Sequence, residues 1–117
     1  MGTSYVEYKR YGFWSRDEFL EYWIHALLRE MLSTAAGEPW LGTLVDHWRI
    51  QAEIDGGCIS LGLDEVLDDE SKRELILSFA QRAMLHCSDR GRRTGQLFID
   101  LLSGRLKTDA SSPIDYL

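Results

Sequence analysis

The chain has 117 residues, of which 44% are hydrophobic and 27% charged, and its formal net charge is −6. This length and balance are typical of one globular domain that builds its core without disulfides or metals. No apolar run approaches the roughly 20 residues that a membrane-spanning helix needs, and the first residues lack the pattern of a signal peptide. We therefore expect residues 1–117 to form a single cytoplasmic domain with no membrane contact. The acidic charge also argues against nucleic acid as a partner, because phosphate binding requires a basic surface.

The N-terminal segment is rich in aromatic residues and leads into the clearest predicted helix. Residues 5–8 fit a short strand or an extended arm equally well. Ser15 and Glu18 then have the spacing of a capping box, in which each side chain bonds to the backbone amide of the other residue. The helix that follows is predicted to end near Ala35, because Gly37 comes directly after it. Its apolar face consists of Phe19, Leu20, Trp23, Ile24, Leu27, Leu28 and Met31.

A second helix and a connector are predicted next. Pro39 is well placed as the first residue of a helix, and Asp55-Gly56-Gly57 is predicted to end that helix. Residues 58–63 partly alternate between apolar and small side chains, which is typical of a strand. The glycines around them weaken that interpretation, so we expect an irregular connector. The alternative is a short two-stranded β element formed by the N-terminal arm and residues 58–63.

Two further amphipathic segments complete the predicted fold. The third helix begins at Asp68 or Asp69, either of which can cap it, and ends around Cys87. Thr94 is a candidate N-cap for a fourth helix, whose apolar face runs through Phe98 to Leu106. Four amphipathic helices with short connections predict a mainly α fold, a compact antiparallel bundle of about four helices.

The sequence shows no recognisable catalytic, metal or cofactor site. His25, His47 and His86 are isolated and lack the spacing of paired metal ligands. Cys58 and Cys87 are far apart and are expected to be reduced, buried thiols. No nucleophile elbow or phosphate loop is present. We therefore predict a protein that is not an enzyme and binds no metal or cofactor.

An acidic stretch is the strongest functional signal. It comprises Asp64, Glu65, Asp68, Asp69 and Glu70, five carboxylates within seven residues. Acids collect before a helix because they cap it and favour its dipole, but two carboxylates satisfy that need. The excess favours a surface that attracts a basic partner. Helix capping alone is the competing explanation.

Tryptophans and arginines give weaker signals. Trp23 and Trp48 fall on apolar helix faces and are predicted to lie in the core. Trp14 and Trp40 stand beside helix starts, where exposed aromatics are typical interface anchors. Arg90, Arg92 and Arg93 follow the third predicted helix, where we expect them to compensate its dipole and keep the loop soluble. Nucleic-acid binding is the alternative.

An aromatic N-terminal arm, an acidic helical body and the segment Gly57–Glu70 with its following helix together resemble the small immunity proteins that protect bacteria from their own toxins. The resemblance implies a tight complex in which the protein blocks the active site of a cognate toxin, for instance a nuclease or another effector with a basic active site. Separately, we expect a monomer or homodimer. The resemblance assigns no individual residues. The excess of acids and the position of the aromatics make the five acids, Trp14 and Trp40 the candidate partner-binding residues, with the acidic stretch and the aromatic face as alternative interfaces. The alternatives are a small acidic secretion chaperone or adaptor and a small enzyme with an unrecognised site.

Overall fold

The computed structural model describes residues 2–34, 38–53 and 59–111. The fold is mainly α with one two-stranded antiparallel sheet, as the sequence predicts. None of the described helices is long and apolar enough to cross a membrane. The predicted stops at Gly37 and at residues 55–57 lie outside the described residues. In chain order the elements are β1 (Thr3–Tyr8), β2 (Tyr11–Arg16), α1 (Asp17–Thr34), α2 (Pro39–Glu53), α3 (Leu63–Val66), α4 (Glu70–Ala83) and α5 (Asp89–Leu102).

The N-terminal arm forms a β-hairpin, and its partner strand is not the one considered from the sequence. β1 pairs with β2, with Val6 opposite Phe13. Residues 59–62 contain no strand, and Cys58 lies outside the described residues. The Ile59 amide donates to the Ser4 hydroxyl of the arm at 2.9 Å, without strand pairing. A two-residue turn closes a much shorter loop than a pairing across some fifty residues, so the local hairpin costs less chain entropy.

The hairpin turn lacks the residues that usually mark one. Lys9 and Arg10 have φ of 49° and 70°, the left-handed region that a type I′ turn requires at both central positions. A residue with a β-carbon costs about 1–2 kcal/mol there, which is why Asn-Gly is common in such turns. Asp64 holds the turn from outside by accepting the Lys9 amide at 2.9 Å. Without a glycine or asparagine, this turn has no typical signal in the sequence.

The start of α1 differs from the predicted capping box. Ser15 is the penultimate residue of β2, and its buried hydroxyl contacts the carbonyl of Arg16 and the hydroxyl of Thr94. The helix begins two residues later, at Asp17, whose amide donates to the Gly2 carbonyl at 3.0 Å. The capping-box prediction is wrong because strand β2 continues through Ser15 and places its hydroxyl in the interior.

Two later boundaries also differ from the sequence prediction. Helix α4 ends at Ala83, four residues before Cys87, and a turn follows. Helix α5 already begins at Asp89, so Thr94 is not its N-cap but a fully buried residue in its second turn. The predicted start of α5 is too late because a polar segment with a glycine at position 91 favours a loop, whereas here the segment is helical.

The core is built around four fully buried aromatic residues, one from each long helix: Trp23, Trp48, Phe79 and Phe98. The predicted core positions of both tryptophans are confirmed. The Phe98 ring contacts both of them, with centroids 5.7 Å from Trp23 and 6.5 Å from Trp48. The Trp48 indole donates to the Leu61 carbonyl at 2.9 Å. This bond satisfies the buried donor and ties the segment before α3 to the core.

Helix α5 approaches α1 closely through a face of small residues, Gly91, Thr94 and Gly95. A β-carbon at Gly91 would lie 2.9 Å from the Trp23 amide nitrogen, and one at Gly95 would lie 2.5 Å from the Trp23 ring. Both distances are shorter than a carbon atom can adopt without displacing its neighbour. The small residues therefore set the separation of the two helices.

Replacing Gly95 by Ala should lower the free energy of unfolding by about 1–3 kcal/mol, the usual cost of overpacking a core. Gly42 provides a matched control, because it lies in α2 with nothing within 4 Å of its added β-carbon. Gly42→Ala should raise the free energy of unfolding by about 0.5–1 kcal/mol, since alanine restricts the unfolded chain. Urea denaturation measures both. Equal effects of the two substitutions would show that α1 and α5 are not in close contact at Gly95.

Candidate protein-binding surface

The acidic stretch spans α3 and the start of α4, and all five of its carboxylates are exposed. Most of them contact a partner within the chain. Asp64 accepts the Lys9 amide at the hairpin turn, and Asp68 pairs with Lys72 at 3.0 Å. Glu70 forms an ion pair with Arg73. Part of the excess charge is therefore compensated within the fold.

Asp69 is the N-cap of α4. Its carboxylate accepts the Lys72 amide at 2.9 Å, so of the two predicted caps the chain uses Asp69 and not Asp68. The Ser71 hydroxyl first, and then the Lys72 amide, hold the pKa of Asp69 below its usual value. The Arg73 guanidinium likewise lowers the pKa of Glu70. Asp69 and Glu70 thus stabilise the first turn of α4.

Two carboxylates of the acidic stretch, together with one from β1, also line a narrow groove between β1 and residues 60–65. Glu7, Asp64 and Glu65 line this acidic groove, which encloses about 190 Å³. Among the residues that the structure describes, Glu7 and Glu65 form no ion pair. Tyr5 also lines the groove, and its pKa is raised by burial and then by the negative charges of Glu7 and Asp109. The groove is therefore a place of net negative potential.

The position of Glu7 was not predicted from the sequence. It lies on the outward face of β1, in an alternation that buries Ser4, Val6 and Tyr8. That alternation is the signal that could have placed Glu7 at the surface, had residues 5–8 been assigned to a strand. Its closeness to Asp64 and Glu65 depends on the tertiary fold and has no local signal.

Trp14 and Trp40 lie on different elements, and both are half-buried. The Trp14 indole donates to the Ala110 carbonyl at 2.9 Å, and its ring lies 5.2 Å from that of Tyr5. The Trp40 indole donates to Glu38, while the Lys72 ammonium lies 5.2 Å from its ring centroid. Each ring is partly covered by the chain itself. Trp14 adjoins the acidic groove through Tyr5, and Trp40 adjoins the cap of α4 through Lys72.

The arginines after α4 occupy the first turns of α5 rather than a loop. Arg90 pairs with Glu18 at 2.6 Å, and Arg92 donates to the Cys87 carbonyl at 3.1 Å. These contacts join α5 to α1 and to the preceding turn. Their role is structural in this part of the chain.

The histidines lie on α1, on α2 and in the turn after α4, and two of them, His25 and His86, line the same groove along α1. His25 and His47 are exposed, while His86 contacts the Glu30 carboxylate at 2.6 Å. This hydrogen bond and a second one from Arg82 lower the pKa of Glu30. Within residues 2–34, 38–53 and 59–111, no three potential ligand side chains are close enough together to hold a metal ion.

Cys87 is buried at the turn between α4 and α5, whereas Cys58 lies outside the described residues. Burial raises the pKa of the Cys87 thiol, and the charge of Arg92 only partly opposes that effect. A thiol that is both buried and protonated is a weak nucleophile.

No protein family, curated protein sequence or solved structure matches the chain. Its function must be inferred from the surface that its own residues form.

Asp69→Ala should lower the urea midpoint, because it removes the acceptor of the Lys72 amide. Asp68→Ala is the matched control and should change the midpoint little, since it breaks only an exposed ion pair. A lowered folded pKa means that the Asp69 carboxylate stabilises the fold above the unfolded pKa of about 3.9. That stabilisation is lost as pH falls through the folded pKa. The difference between parent and Asp69→Ala should therefore shrink in acid, and a difference that grows in acid would contradict the assignment.

The Cys87 thiol should react slowly in the folded protein. In a Cys58→Ser background, a colorimetric disulfide reagent at mildly alkaline pH should modify native Cys87 about tenfold more slowly, or slower still, than in urea, because burial disfavours the thiolate. The urea-unfolded sample serves as the control for intrinsic reactivity. Equal modification rates in the native and unfolded states would mean that the Cys87 thiol is accessible and reactive in the folded protein.

Proposed function

We propose that the protein is a protein-binding module, and more specifically an immunity protein that binds and blocks a cognate bacterial toxin with a basic surface. The observation that carries this proposal is the acidic groove, where Glu7, Asp64 and Glu65 meet around a space of about 190 Å³. Such a groove has the size for one or two side chains of a partner, and its charge selects basic ones.

Charge at this groove acts in two ways. Over long distances it attracts a basic surface and speeds association, with a range set by a Debye length of ~8 Å at physiological ionic strength. At contact, Glu7 and Glu65 can pair with lysine or arginine side chains of the partner without breaking an ion pair within the described residues. Asp69 and Glu70 contribute less, because they already stabilise α4.

A second candidate is a secretion chaperone or adaptor. It is favoured by an open groove of about 570 Å³ along α1, lined in part by Tyr22, Ala26 and Leu32. Tyr22 and Leu32 are 42% and 58% exposed. Exposed apolar side chains along a helix are typical of surfaces that receive an amphipathic client helix.

The partner can be identified by affinity purification from the native host followed by mass spectrometry. An immunity protein should retain a toxin and abolish its activity in vitro at equimolar concentration. A chaperone should retain a secreted protein whose activity it leaves intact. Recovery of neither, with the protein folded and abundant, would contradict both candidates.

Charge reversal at the groove tests which surface binds. Glu65→Lys should slow association with the identified partner several-fold at low salt, and the effect should diminish as salt rises. Glu74→Lys is the matched control, because Glu74 is an exposed carboxylate on α4 whose substitution changes the net charge by the same amount. Stopped-flow or surface-based kinetics across a salt series measures both. Equal association rates for the two variants would place the interface away from the acidic groove.

A further inference from the structure

The tip of the hairpin has the opposite charge to the groove beside it. Lys9, Arg10 and Lys107 are exposed, and none of them forms an ion pair with a carboxylate of the described residues. Arg10 and Lys107 both lie over the Tyr11 ring, 5.3 Å and 4.8 Å from its centroid. Arg10 and Lys107 therefore lie over one tyrosine, Tyr11, and Lys9 lies over the neighbouring Tyr8, in a chain whose net charge is −6.

Several other cations of the chain pair with carboxylates, whereas Arg16, like the tip cations, lies over an aromatic ring, that of Phe19. Arg49, Arg73, Arg82, Arg90 and Arg105 each pair with a carboxylate at the surface. Unlike them, the tip cations lie over aromatic rings, with the Lys9 ammonium 5.4 Å from the Tyr8 centroid, although the charge of Lys9 also helps to lower the pKa of Glu70, after the Arg73 guanidinium. An ammonium over a ring keeps its charge and is held in place, so it remains able to bind an anion.

The backbone of the turn supports a functional role for the two central residues. Lys9 and Arg10 both adopt positive φ, where glycine or asparagine would be less strained. Such strain persists when the surrounding structure enforces it, and it is common at binding sites. Here the hydrogen bond from the Lys9 amide to the Asp64 carboxylate holds the turn in this conformation. The fold therefore keeps two basic residues in this turn, although glycine or asparagine there would make the protein more stable.

We propose that the hairpin tip, formed by Lys9, Arg10 and Lys107, is a docking site for acidic side chains of a protein partner. The inference goes beyond the proposed function, because it concerns a second surface of opposite charge. Carboxylates are favoured over nucleic acid because cations already lie over Tyr8 and Tyr11. Those rings are therefore not free to stack on bases, as single-strand binding requires.

The test uses a short fluorescent polyglutamate peptide as the probe and measures anisotropy at low ionic strength. The double variant Lys9→Asn/Arg10→Gly removes two cations and supplies the residues that a type I′ turn prefers. It should weaken peptide binding by roughly five- to tenfold and at the same time raise the melting temperature. The matched control, Arg49→Gln/Arg105→Gln, changes the net charge equally at two paired cations and should leave peptide affinity nearly unchanged.

Lys107→Gln is a second variant that leaves the turn intact, and it should also weaken peptide binding. Unchanged peptide affinity in both tip variants would overturn the proposal, as would an equal loss in the control. A fall in melting temperature on Lys9→Asn/Arg10→Gly would contradict the argument from strain.

Displacement of the peptide by a single-stranded oligonucleotide or inorganic phosphate at equal charge concentration would assign the site to phosphate instead. Glu65→Lys should retain peptide binding, so failure here is distinguishable from failure of the acidic groove.

Discussion

The close contact of α1 and α5 is the constraint on which the rest of the structure depends. Trp23 is a large side chain, and it is fully buried only because Gly91 and Gly95 let the backbone of α5 lie against it. That position brings Phe98 against Trp23 on one side and Trp48 on the other. Since Trp48 in turn holds Leu61, the placement of α2 and of the segment leading to the acidic stretch follows from the same helix pair.

The hairpin is attached to this helical core by buried hydroxyl groups as well as by apolar packing. Ser4 donates to Asp17 at the start of α1 and accepts the Ile59 amide, while Ser15 and Thr94 share a hydrogen bond at 3.0 Å. Buried hydroxyls require specific partners at specific angles. They therefore fix the orientation of the hairpin, whereas apolar contacts alone would allow it to slide. The acidic groove and the basic tip both depend on that orientation.

Periodicity in the sequence predicted the long helices because their apolar faces repeat at three- and four-residue steps. It failed where tertiary contacts outweigh local preference. Ser15 has the spacing of a helix cap yet continues a strand, because Thr94 provides a buried partner for its hydroxyl. The turn at Lys9 and Arg10 contains no typical turn residue, so the sequence pattern does not show where the hairpin reverses direction. Of the candidate site, the acids of 64–70 were visible as a run of charge, whereas Glu7 joins them only through folding.

The edge of strand β2 that faces away from β1 forms hydrogen bonds with a segment far later in the sequence. The Gly12 amide donates to the Thr108 carbonyl at 2.9 Å, and the Thr108 hydroxyl donates back to the Gly12 carbonyl. During synthesis, β2 leaves the ribosome with this edge unpaired, and it stays so until residue 108 has also emerged. An unpaired edge can recruit another strand, so the nascent chain is exposed to intermolecular pairing throughout its elongation.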